Sequence, residues 1–173
     1  QKRIETAHFS GKENDIFCDV YSDAPVVIGI LPDAPDLYFG ATLAKAIQNK
    51  LSDTALKSHV FVLQVEDQYR LGVATGWGLY GHDFTALKSN HKKRPAPQLL
   101  LSTKEQKAIK PTIEAITFLR DLINAPANHM GPADMEQAAA TLAKIHDAKV
   151  KVTKGKALET GFPLIHMVGA AAT

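Results

Sequence analysis

The stretch NHKKRPAP (90–97) sets His91, Lys92, Lys93 and Arg94 side by side. A phosphate or nucleic-acid contact needs charge clustering of this kind, because affinity for a polyanion grows with each phosphate neutralised. Against that reading, no aromatic residues interleave with the charges, and the whole chain carries a net charge of only +2. A solvated loop between a helix and a strand uses the same residues and is the favoured reading; Lys92, Lys93 and Arg94 stand as a possible basic contact. The seven histidines are His8, His59, His82, His91, His129, His146 and His166. A metal site needs its ligands to converge, often at i and i+4 on a helix. The one close histidine–carboxylate pair is His82–Asp83, and adjacent residues on a helix point about 100° apart, which chelates poorly. GWG (76–78) has neither the Gly-x-Gly-x-x-Gly spacing nor a following Lys-Ser or Lys-Thr, so it is not a phosphate loop. Its glycines are expected to let a helix approach a sheet closely beside Trp77. There is no Gly-x-Ser-x-Gly elbow, and Cys18 has no histidine near it in sequence to activate a thiolate. Glu66 and Asp67 fall in an expected turn, where solvation is the default. No catalytic residue and no metal ligand is therefore assigned to any position, and the substrate-binding residues are unassigned.

The bulk properties agree with an ordinary folded domain. The chain has 173 residues, 45% hydrophobic and 22% charged, enough to hide roughly 70% of the surface that its unfolded form exposes. Near-neutral charge gives no reason to expect a polyanionic partner. The single cysteine cannot form an internal disulfide, which fits a reducing, cytoplasmic compartment. The longest strongly apolar run, PVVIGILP, has eight residues, against ~20 for a bilayer span. The opening QKRIETAHFSGKEND has no apolar core of a signal peptide, and it does not begin with Met.

The elements that must position these side chains follow from periodicity. Residues 1–23 read as a polar leader with one short strand around Ile16–Val20. APVVIGILP (24–32) is continuously apolar and β-branched, as a strand covered on both faces is. DAPDLYFGA (33–41) is turn-rich, and TLAKAIQNKL (42–51) carries Leu43, Ala46, Ile47 and Leu51 on one helical stripe. HVFVLQV (59–65) and YRLGVAT (69–75) read as strands joined by a tight EDQ turn, hence antiparallel. Trp77, Tyr80, Phe84 and Leu87 put a helix over 76–89, and QLLLS (98–102) reads as a fourth strand. Thr103 with Gln106 resembles a capping box. Ile109, Ile113, Ile116, Leu119 and Ile123 then mark a long helix, regular from about Lys110 because of Pro111, and ending by Ala125 ahead of Pro126. Pro132 opens a further helix with Met135, Ala138, Ala139, Leu142 and Ile145 expected on its buried face. AKVKVTK (148–154) alternates as a strand does, GKALETGF (155–162) reads as a helical turn capped by Gly161, and PLIHMVGAAAT (163–173) starts another strand or helix. This order predicts an α/β fold with a mixed, mostly parallel sheet flanked by helices.

FLRDLINAPANHMGPADMEQAAATLAK (118–144) resembles the leucyl aminopeptidase (cytosol aminopeptidase) family at the handover from its N-terminal to its catalytic domain. Arg120, Asp121, Leu122, Asn124, Pro126, Ala127, Asn128 and Pro132 carry the likeness. AKVKV…KALETGFPLIHMVGAAA and GWGLYGHDFTALKSNHKKRPAPQLLL (76–101) support it, whereas residues 1–60 match only loosely. The resemblance implies an N-terminal α/β domain at 1–108, macro-domain-like in fold, a linker helix and junction at 109–127, and the start of an incomplete second α/β domain, the catalytic one, at 128–173. It implies an enzyme that removes N-terminal residues from peptides with two divalent metals, zinc or manganese, and that assembles as a homo-hexamer in the cytoplasm without a membrane. The family's metal-binding Asp-Thr-Gly-Gly and Asn-Thr-Asp-Ala-Glu-Gly-Arg segments do not occur here. No metal or catalytic residue transfers to this chain, and on this reading it is inactive alone. The alternative is a non-enzymatic module, binding a ligand as macro domains bind ADP-ribose or touching nucleic acid through Lys92, Lys93 and Arg94.

Overall fold

The structure is a computed structural model that describes residues 37–89 and 92–170, together with the backbone of two strands at 16–19 and 26–29. The polar leader, the flanks of the 24–32 strand, the turn-rich stretch as far as residue 36, and His8 and His91 lie outside the described residues. The chain divides into two units, Gln1–Asp121 and Leu122–Thr173.

In the first unit, β1 (Ile16–Asp19) pairs antiparallel with β2 (Val26–Gly29), with Ile16 opposite Gly29. Helix α1 (Tyr38–Lys50) starts four residues ahead of the expected stripe and buries Phe39, Leu43, Ala44 and Ile47. Helix α2 (Asp53–Ser58) is capped at its N-terminus by Ser52, whose hydroxyl accepts the Ala55 amide at 3.2 Å. Strand β3 (Val60–Phe61) lies parallel to β4 (Gln98–Leu99), with Val60 opposite Gln98. A parallel pair needs a crossover, and the chain between these strands supplies one as helix α3 (Asp67–Tyr80).

That helix overturns the expected hairpin at 59–75. YRLGVAT is helical throughout, and Glu66–Gln68 is the entry to α3 rather than a turn between strands. Alternation would put Leu71 and Val73 on one face, yet Leu71 is exposed and Val73 is buried. The period that governs is 3.6: Tyr69, Val73, Trp77 and Tyr80 recur at helical spacing and face the core cluster, while the Thr75 hydroxyl donates back to the Leu71 carbonyl at 2.7 Å. The helix expected over 76–89 is correspondingly the last turn of α3, and 82–89 has no regular structure.

Helix α4 (Thr103–Asn124) is continuous through Pro111, so it begins well before Lys110. Proline removes one intrahelical bond, that to the carbonyl of residue 107. Both Lys107 and Pro111 are exposed, and water can satisfy that carbonyl. The capping residues stand one position earlier than expected. Ser102 N–H donates to Glu105 Oε2 at 2.7 Å, and Glu105 N–H donates to the Ser102 hydroxyl at 3.3 Å. The helix stops at Asn124, as Pro126 requires.

The regular elements described in the second unit are helices: α5 (Pro132–Ile145), α6 (Lys156–Gly161) and α7 (Pro163–Ala170). Pro132 opens α5, and the Gly131 amide donates to Asp134 Oδ2 at 3.0 Å. Of the side chains on α5, Ala143 is buried, whereas Met135, Leu142 and Ile145 are exposed. The expected strand at 148–154 is irregular. Its alternation is real, but a strand also needs a ladder partner for its backbone groups, and no described segment pairs with it.

The described chain is thus a helix-rich mixed α/β structure with a small parallel sheet.

Candidate functional site

The geometry of the first unit converges on the C-terminal end of α3. Two glycines bring α1 and α3 into backbone contact. A Cβ on Gly40 would overlap the Val73 carbonyl oxygen, and one on Gly76 would overlap that of Leu37. The glycines therefore admit a helix, not the expected sheet. Around this contact, Ile47, Leu56 and Val73 are fully buried, each contributing roughly 1.5–3 kcal/mol by removal from water. The Phe61 and Trp77 rings sit 6.0 Å apart at 45°.

A strap formed by residues 93–97 crosses the ends of both helices. Trp77 Nε1 donates to the buried Pro97 carbonyl at 2.8 Å, and Gln48 Nε2 donates to that of Pro95 at 3.0 Å. Tyr80 O–H donates to Gln48 Oε1 at 2.5 Å. Burial pushes the Tyr80 hydroxyl above its ordinary value, with the Arg94 cation opposing the shift. Lys93 Nζ donates to the carbonyl of Gly81, the residue that closes α3. Arg94 donates to the carbonyl of Leu51, which closes α1, at 3.0 Å, and forms an ion pair with Asp53 at 2.9 Å. Cations at helix C-termini offset the partial negative charge of the unpaired carbonyls. All three residues of the basic triplet are exposed, and Lys93 and Arg94 are in addition bonded within the fold.

The Arg-Asp pair that opens the junction motif reaches the same place. Arg120 Nη1 lies 3.4 Å from the Leu79 carbonyl oxygen. Asp121 Oδ1 lies 2.9 Å from His82 Nε2, and both atoms are closed to solvent. His82 therefore meets a carboxylate 39 positions away rather than its neighbour Asp83, which pairs with Lys88 at 3.2 Å. About two turns earlier on α4, the Ile113 side chain fills the space that a Cβ on Gly78 would occupy. After α4, the amides of His129 and Met130 both donate to the Pro126 carbonyl, at 2.8 and 3.0 Å, which turns the chain toward Pro132.

Chemically, this end of α3 is a clamp. Among the described residues, no group of three or more His, Cys, Asp or Glu side chains is placed to hold a metal ion. His82 and Asp121 offer one nitrogen and one carboxylate, too few donors for a pair of divalent cations. The described residues do not fit the two-metal centre that the resemblance implies. Sequence reading also missed Arg70, which bonds Glu105 and donates to the Leu63 carbonyl at 2.5 Å. No local spacing signals a pair 35 residues apart.

Residues 117–173 match the family model described as the cytosol aminopeptidase family, catalytic domain. Peptidase B of Cronobacter sakazakii is 36% identical over 81 residues, an alignment covering 44% of this chain and 19% of that protein. The structure superposes on the crystal structure of a cytosol aminopeptidase from Coxiella burnetii with a TM-score of 0.71 at 26% identity, over 98% of this chain and 36% of that one. The C-terminal third of this chain is thus similar to the catalytic domain of the cytosol aminopeptidase family. The bottromycin maturation enzyme BotP shares the fold, with a TM-score of 0.66 at 19% identity over 92% of this chain and 38% of its own. The chain spans well under half the length of each of these proteins. Arg120, Asp121, Asn124, Pro126, Asn128 and Pro132 all lie inside the segment matched by the catalytic-domain model.

Proposed function

We propose that this chain supplies the N-terminal domain (1–108), the linker helix and junction (109–127) and the first part of the catalytic domain (128–173) of a cytoplasmic metallo-exopeptidase that removes N-terminal residues from peptides. The observation that carries the reading is the match of 117–173 to the catalytic-domain model, within a chain that superposes over 98% of its length on a cytosol aminopeptidase. The two divalent metals, zinc or manganese, would be held by residues other than those described here, and the enzyme would work as a homo-oligomer, a hexamer on the family pattern. The described residues bind no part of the reacting bond. They set the helix that leads into the catalytic segment: the strap fixes the ends of α1 and α3, and Arg120 and Asp121 fasten α4 to the end of α3.

On this proposal the 173-residue chain does not hydrolyse leucine p-nitroanilide, even with excess manganese. Turnover at rates typical of the family would overturn it. All three basic residues are exposed, but Lys93 and Arg94 spend their donors on helix-end carbonyls and Asp53, so no observation favours the nucleic-acid reading.

A further inference from the structure

We draw no further inference here: the strongest candidate, the exposed apolar side chains of α5 and α7 in the C-terminal unit (Met135, Leu142, Ile145, Leu164, Met167 and Val168), carries none because nothing in the structure shows what covers them.

Discussion

Glu105 shows how much one side chain can do in this fold. Its carboxylate accepts from the Ser102 hydroxyl and amide while also bonding Arg70. These bonds, the Ser102 hydroxyl first, pull its pKa from 4.5 to about 2. A depressed carboxylate binds its proton less tightly in the folded state than in the unfolded state. Its contribution is therefore complete above about pH 4.5 and fades as pH falls toward 2. Urea midpoints measured between pH 6 and pH 2.5 should drop on the acid side, and Glu105→Gln should flatten that part of the drop. An unchanged pH profile in the variant would contradict the assignment. Trp77 gives a second test. Trp77→Phe replaces the buried indole with a smaller phenyl ring and strips the donor from the buried Pro97 carbonyl, and should cost at least about 1–3 kcal/mol in chemical denaturation. Gly76→Ala drives a methyl into the Leu37 carbonyl and should cost at least about 1–3 kcal/mol, whereas Lys92→Ala should stay within about 0.5 kcal/mol of the parent. The aromatic side of this cluster was legible, because Trp77 and Tyr80 stand at helical spacing. The role of the glycines was legible only as a close approach, since a missing side chain does not say which element comes near. Arg70–Glu105 and His82–Asp121 were illegible, because pairing across 35 and 39 residues depends on the finished packing.

Among the elements, α4 was the easiest to read and the second unit the hardest. The isoleucine stripe at 109, 113, 116 and 123 has the helical period, and Ile109 is buried as that period requires. Burial then fades along the stripe until Ile123 is 72% exposed, so periodicity revealed the helix but not how far it is covered. YRLGVAT was misread because a seven-residue window contains both an alternation and a helical repeat, and the core contacts of Val73 and Trp77 choose the helix. AKVKVTK has the alternation of a strand without a pairing partner among the described residues. The elements also differ in their protection. Helices α1 and α3 are packed through buried side chains and abutting backbones, whereas α7 buries none of its residues. Amide hydrogen exchange should therefore be slowest in 43–47 and 73–79 and fast in 163–170 of a dilute monomer. Equal protection of α7 would show that its apolar residues are covered in solution.

For the molecule as a whole, the bulk numbers limited the answer more than they identified it. A net charge of +2 argues against a polyanionic partner, and no described helix is long and apolar enough to cross a membrane. The family likeness was most specific in the motif from Arg-Asp-Leu through Asn-Ala-Pro-Ala-Asn, with 76–101 and the segment after 148 in support; that motif spans the end of α4 and the turn after it. The described residues build a clamp at the end of α3, on the helix that enters the segment matched by the catalytic-domain model, and among them no three His, Cys, Asp or Glu side chains are placed to hold a metal ion. The most direct measurement is metal content. The purified 173-residue chain should be equilibrated with micromolar zinc or manganese, passed through a desalting column and subjected to elemental analysis. Much less than one retained ion per chain is expected if the metal centre is built by residues other than these; two tightly retained ions per chain would overturn that proposal.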